Sequence, residues 1–443
     1  MKLLKIRTFG LKNLKNPVEL SFCNNIIEDK VKFNSSIKAI YGSNGSGKSA
    51  IMGSVDLYKS IISTSNYLLK DSNQEHLKKL INYQTKKFSF ELIFSDCMFQ
   101  KSKDSIFKHE LTIEFNELTQ NYEITHESLG AQKGRNINDF EPLIAVNKQN
   151  LEVFSFNKDL SNKFFETFLK RRIGLESILF YSFETIFSNE LNPSNIFERE
   201  PLTELMFGTI VSILNLSVFM LDSDRHEQFE LAKKISKYYE KLKNNENVSL
   251  DNIKQSFKID KYNELVEINS FGNYKKRNAL LENFIKVFKP NLIKINLNER
   301  RENNVYHCRK SFIYDDGEVD IEYESSGIKQ LVKLFNNLYA FYKGAVVFID
   351  ELDVNINSIY LKKLIEFLIG RAKGQLILTT HNLDLMEALR KEKAGIYALG
   401  FDNQLDIWSI SGNANPKNYY VDGYFAHSPN NVENFDFLAA FEE

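Results

Sequence analysis

Gly42-Ser43-Asn44-Gly45-Ser46-Gly47-Lys48-Ser49 follows the apolar run 37–41 and satisfies G-x-x-x-x-G-K-[ST], a spacing suited to holding the phosphate chain of a nucleotide. The glycines let successive backbone N–H groups turn inward as an anion nest, and a helix starting at Lys48 adds the positive end of its dipole. Lys48 has the reach for the β- and γ-phosphates, and the Ser49 hydroxyl suits Mg2+. The expected ligands are ATP and Mg2+, contacted by Gly42, Ser43, Asn44, Gly45, Ser46, Gly47, Lys48 and Ser49.

Hydrolysis needs a second set of groups, and two apolar runs end in them. Val346-Val347-Phe348-Ile349 leads into Asp350 and Glu351, where one carboxylate supports Mg2+ together with Ser49 and the next faces the attacking water. Asp350 is the metal-side acid and Glu351 the catalytic residue. Gln375-Leu376-Ile377-Leu378-Thr379 runs into Thr380 and His381, which puts His381 at the carboxyl edge of a sheet beside Glu351, where it could sense the γ-phosphate. Glu324-Ser325-Ser326-Gly327 stands just before a helical pattern; taken alone, it reads as a helix N-cap.

Positioning these residues requires a parallel sheet with crossover helices. The second half alternates accordingly, with helix 328–342, strand 345–349, helix 358–370 and strand 375–379. Upstream, runs at 3–9, 18–22 and 37–41 read as a β-meander feeding the loop. Ile51, Val55, Tyr58 and Ile62 recur at helical spacing within 50–69, and 88–94, 111–115 and 122–125 read as strands. Between 151 and 290 the texture turns helical, with runs at 164–183, 202–221, 227–243 and 277–288. Sustained heptads are lacking there, which excludes a long coiled-coil arm. Strands resume at 292–297, 307–314 and 319–323.

G-x-N-G-x-G-K-S, a strand ending Asp-Glu and a strand ending Thr-His together resemble the ABC/SMC/RecF-like ATPases. The closer resemblance is to the standalone bacterial AAA-15/AAA-21 type proteins related to the OLD-family ATPase domain. Glu324-Ser325-Ser326-Gly327-Ile328-Lys329 is similar to that group's shortened signature motif, and Tyr420-x-x-Gly423-x-Phe425 with Pro429 is similar to its C-terminal end. The resemblance implies an α/β fold, an ABC-type P-loop NTPase with an antiparallel β side sheet and a helical insertion. Residues 1–150 would be the N-terminal part of the ATPase domain, 151–290 the insertion and 291–443 the C-terminal part. It further implies a homodimer or higher homo-oligomer, in which Ser325 and Gly327 contact the γ-phosphate of ATP held by a second subunit. After Asp353 the family usually has a His-Pro pair, whereas this chain has Asn357-Ser358, which leaves Asp353 as the candidate for coupling the subunits. Gln84 is the nearest candidate for a glutamine sensing Mg2+ and water.

Composition narrows the function classes. Lys and Arg number 57 against 58 Asp and Glu, so no global positive field advertises nucleic acid or an anionic membrane, and any such contact needs a local patch. Lys170-Arg171-Arg172 and Lys275-Lys276-Arg277 read as solvated helix faces. Cys23, Cys97 and Cys308 form no C-x-x-C pair, which argues against a zinc ribbon or a disulfide framework and fits a reducing cytoplasm. The longest apolar run, 206–221, is too short to span a bilayer. Arg301 and His307 lie in strand and loop rather than forming a nuclease helix, and about sixty residues after His381 leave no room for a nuclease module. The expected function is an ATP-hydrolysing dimeric switch acting on a separately encoded effector, the regulator of a bacterial anti-phage or abortive-infection system. A RecF/SMC-like DNA-repair ATPase and a non-hydrolysing nucleotide-dependent scaffold are the alternatives.

Overall fold

The computed structural model describes residues 2–27, 30–33, 36–96, 105–132, 139–147, 150–153, 173–180, 201–220, 264–392, 394–409, 414–425 and 428. The chain opens with β1 (Lys2–Phe9), β2 (Val18–Ser21), the small hairpin β3 (Cys23–Ile27) and β4 (Lys30–Phe33), and β5 (Ile37–Tyr41), which runs into α1 (Lys48–Ser63). A single 3-10 turn and α2 (Asp71–Leu80) lead to β6 (Lys87–Asp96), β7 (Ser105–Asn116), β8 (Asn121–Gln132), β9 (Phe140–Asn147) and β10 (Asn150–Val153). Then come α3 (Pro201–Leu214), β11 (Leu216–Phe219), β12 (Glu264–Glu267), α4 (Ile268–Phe288), β13 (Leu292–Glu302), β14 (Val305–Tyr314) and β15 (Gly317–Asp320). The chain goes on through α5 (Ser326–Lys343), β16 (Val346–Ile349), α6 (Ser358–Leu368), β17 (Gln375–Thr379), α7 (Asp384–Leu389), β18 (Ile396–Leu399), β19 (Leu405–Ile407) and α8 (Pro416–Val421).

The central sheet has the order β11-β16-β17-β5-β18-β19 and is parallel except for β19. Its strands are apolar on both faces because helices and sheet cover both, as parallel sheets require. Ile37, Ala39 and Tyr41 of β5 pack with α5, α6 and α7, whereas Ile40 on the other face joins α1 and α3, the two-residue alternation of a strand. Lys38 points to this second face, is fully buried, and donates to Ala394 O and to the Tyr397 hydroxyl, each at 2.8 Å. A seven-stranded antiparallel sheet, β10-β9-β8-β7-β6-β1-β2, covers α1. Tyr58 of α1 stacks on Phe90 with ring centres 4.3 Å apart. Its hydroxyl meets His109 Nδ1 at 2.7 Å, and His109 Nε2 lies 3.2 Å from a Glu127 carboxylate that also takes the Ser177 hydroxyl at 2.6 Å. This buried polar chain fixes α1 against β7, β8 and segment 173–180.

The run 202–221, expected as one helix of an insertion, is instead α3 followed by strand β11, which pairs in parallel with β16. A short apolar run such as Leu216–Phe219 is compatible with either state by periodicity alone, and an open sheet edge beside β16 selects the strand. The other described residues of 151–290 are also divided: β10 extends the antiparallel sheet, while α4 packs on β13 and β14 in the four-stranded unit β12-β14-β13 with β15. The expected helix 227–243, most of 164–183, the cluster Lys170-Arg171-Arg172, Cys97 and Pro429 fall outside the described residues. No helix among the described residues is long and apolar enough to cross a membrane.

Candidate functional site

β5 delivers its last residue, Tyr41, directly into the glycine loop. Three loop glycines have positive φ: Gly42 (151°), Gly45 (81°) and Gly47 (112°), a backbone that L side chains rarely adopt. Space is also short. A Cβ on Gly42 would lie 2.6 Å from Leu399 O and 2.7 Å from Ser46 Oγ, and one on Gly47 would lie 2.8 Å from Leu14 Cδ2. The loop can therefore close this tightly only with glycine, which is the fit a phosphate nest demands. Lys48 and Ser49 open α1, in the turn whose N–H groups have no partner within the helix. Lys48 Nζ arches over the loop, 2.8 Å from Gly42 O and 3.1 Å from Ser43 O. Burial holds its pKa below the ordinary lysine value, with the charges of Asp350, Glu351 and Asp353 opposing. Ser46 Oγ is buried with no hydrogen-bond partner among the described residues, an unsatisfied group of the kind a polar ligand or water would satisfy.

β16 and β17 bring up the second half of the site from more than 300 residues away. Asp350 is buried, and its Oδ1 accepts from Ser49 Oγ at 3.2 Å and from Thr379 Oγ1 at 2.6 Å. The same Thr379 oxygen accepts the Glu351 N–H at 2.8 Å. Glu351 sits at φ 50°, a left-handed conformation that costs a non-glycine residue about 1 kcal/mol, and the Thr379 bond holds it there. His381 stands at the end of β17, which lies between β16 and β5. Its N–H points to the Asp353 carboxylate at 3.3 and 3.4 Å. Burial first, then the Lys48 charge, lowers the His381 pKa, with the charges of Asp353, Glu351 and Asp350 opposing.

The structure thus joins Lys48, Ser49, Asp350, Glu351, Asp353 and His381 at the carboxyl ends of three adjacent parallel strands, the usual crevice for a ligand in such a sheet. Among the described residues no group of three or more His, Cys, Asp or Glu could hold a metal ion. A cation here would rest on Ser49 and Asp350, with the remaining oxygens coming from phosphate and water, the normal habit of Mg2+.

Ser325 and Gly327 lie elsewhere, at the exposed start of α5, where Ser325 Oγ caps the helix by accepting from Ile328 N at 3.3 Å. A Cβ on Gly327 would meet nothing within 4 Å among the described residues, so packing among them does not call for glycine there. Asn355, just past the acids, donates to Gln330 of α5 at 2.8 Å and so ties this helix start to the acidic loop. The Asn357-Ser358 pair has a local role as well: Asn357 caps α6 through Ile359 N at 3.0 Å. Gln84 is exposed, and its amide donates to the Tyr83 hydroxyl at 3.2 Å. Lys275 and Arg277 pair with Glu299 and Glu264, and His307 lies 3.2 Å from Glu302. Cys308 is buried.

Two contacts at the site have weak signals in sequence. Thr379 is simply the polar end of an apolar strand. The Tyr420 hydroxyl meets the Gly42 backbone, and its ring lies 6.0 Å from that of Tyr41, so the C-terminal segment props the first residue of the loop. Residues 221–387 match the family described as "AAA domain, putative AbiEii toxin, Type IV TA system". No curated protein matches the chain. The matched span holds Ser325, Asp350, Glu351 and His381 and is similar to that family, and the glycine loop enters the same site from outside the span.

Proposed function

We propose that this protein binds and hydrolyses ATP as a dimeric switch that governs a separately encoded partner. The supporting observation is the continuous link Ser49–Asp350–Thr379–Glu351, which ties the loop that would hold the phosphates to the carboxylate that would act on water. Loop N–H groups and Lys48 carry the phosphate charge. Glu351 orients the attacking water and accepts its proton as the bond to the γ-phosphorus forms and the bond to the bridging oxygen breaks. His381 would offer a hydrogen bond to the γ-phosphate. Ser49 and Asp350 would hold Mg2+, which would supply neutralisation of the phosphate charge.

Ser325 and Gly327 would act in trans. The exposure of Ser325, and the open space around the half-buried Gly327, are in keeping with approach by a phosphate held on a second copy. The family's toxin–antitoxin description supports a two-component setting, and the reading extends it to an anti-phage or abortive-infection system in which nucleotide state sets the grip on the effector. The test uses Glu351→Gln, which should bind ATP normally and lose at least about a hundredfold in turnover, the usual range for a general base, while accumulating as a closed dimer. Unchanged turnover would reassign the catalytic residue. Co-purification from the native operon and phage challenge of the same strains test the defence role; no associated protein and no change in phage sensitivity would end it.

A further inference from the structure

We propose that Phe401 is the platform on which the purine base of the nucleotide stacks, an inference that rests on reading 42–49 as the nucleotide's phosphate loop. The residue sits in the turn between β18 and β19, and that turn is anchored at both of its ends, to the glycine loop at one and to Lys15 and Asn16 at the other. At the β18 end, the tight approach of Leu399 O to Gly42 leaves no room for a side chain. On the far side, Asn403 Oδ1 accepts from Lys15 N at 2.8 Å and Asn16 N at 3.1 Å, and Asn16 Nδ2 donates to Asp402 O at 2.9 Å. The turn is closed on itself by Gly400 N to Gln404 O at 3.0 Å and Asn403 N to Gly400 O at 3.1 Å. Asn403, left-handed at φ 64°, is 3% exposed.

In this fixed setting Phe401 is 71% exposed. A side-chain carbon built on Gly45 would lie 3.9 Å from Phe401 Cε1, and Asn13 clamps the same glycine by donating to its carbonyl. The ring therefore stands at the outer rim of the loop, where a nucleoside must leave it if the phosphates are seated inside. An isolated exposed apolar residue is ordinary on a protein surface. A rigidly anchored aromatic face beside a phosphate nest is the arrangement that base stacking uses, and it accepts any base in proportion to its π surface. Asn403 Nδ2, in the same turn, is buried with no hydrogen-bond partner among the described residues. Purine nucleotides should accordingly bind better than pyrimidine nucleotides, with the phosphates contributing equally to each.

The experiment measures binding of ATP and of inorganic tripolyphosphate, which has no base, to the full-length wild type, Phe401→Ala, Phe401→Trp and Lys48→Ala. Phe401→Ala should weaken ATP by about tenfold and leave tripolyphosphate unchanged. Phe401→Trp should restore ATP binding and show fluorescence quenching with ATP but not with tripolyphosphate, over a background from the buried Trp408 measured in the wild type. Equal loss of both ligands in Phe401→Ala would mean that the ring only supports the loop and would overturn the proposal. ATP binding that depends on Lys48 but not on Phe401 would sink stacking and leave the nucleotide site standing; failure of the wild type to bind either ligand would sink both.

Discussion

Removing one hydroxyl, that of Thr379, would release two groups at once, the Asp350 carboxylate and the Glu351 N–H. Thr379→Val keeps the shape and loses both bonds. A hydrogen bond to a charged group contributes about 1.5–3 kcal/mol, so turnover should fall about ten- to a hundredfold. ATP affinity, which would depend on Lys48 and the loop, should hold. Steady-state kinetics with a separate binding measurement check this, and a loss confined to affinity would refute the assigned geometry. Lys48→Ala should abolish ATP binding, because the cation it removes is the one on the loop itself; near-normal affinity by calorimetry would remove the central reading. Lys48, Ser49, Asp350, Glu351 and His381 were legible as residues because each ends or follows an apolar strand at a revealing spacing. The Thr379 bridge and the Tyr420 prop were not, because each is a contact made by tertiary folding between segments that nothing in local pattern connects.

At the scale of elements, α5 carries a cap and a proposed trans contact on the same serine, and the two roles separate chemically. Aspartate caps helices as well as serine does, but its charge would repel a phosphate. Ser325→Asp should therefore keep the melting temperature and lose hydrolysis, and mixing it with Lys48→Ala subunits should restore some turnover, since one composite site in a mixed dimer carries neither lesion. Mixed dimers that form and remain inactive, or a Ser325→Asp protein that hydrolyses normally, would count against action in trans. Strand and helix positions from β16 to β17 were readable to within one residue except at the end of α6, which falls two residues earlier than expected, because their periodicity changes at each boundary. β11 was not. Its four residues follow α3 with only Asn215 between, and the partner that makes them a strand, β16, lies more than a hundred residues onward.

At the scale of the whole molecule, two lysines, Lys38 in β5 and Lys59 in α1, are buried in the core, with burial holding each ammonium pKa at about 7 against an ordinary 10.5. Between those values the unfolded chain binds more protons than the fold, so stability rises with pH across the window, by up to about 1.4 kcal/mol per pH unit for each lysine. The Cys23 and Cys308 thiols, pushed up to about 11 by burial, oppose the trend at higher pH. The denaturation midpoint should therefore climb from pH 7 to pH 9, and a Lys38→Met, Lys59→Met double variant should flatten the climb; a flat wild-type profile would refute it. The pairing of β5 has a different consequence. Both of its hydrogen-bonded neighbours, β17 and β18, lie beyond residue 374. On the ribosome, the strand that carries the glycine loop has neither of these neighbours to pair with until residues beyond 374 have emerged, so a nascent fragment ending before those strands cannot assemble the site, and the order of synthesis itself keeps such a fragment silent.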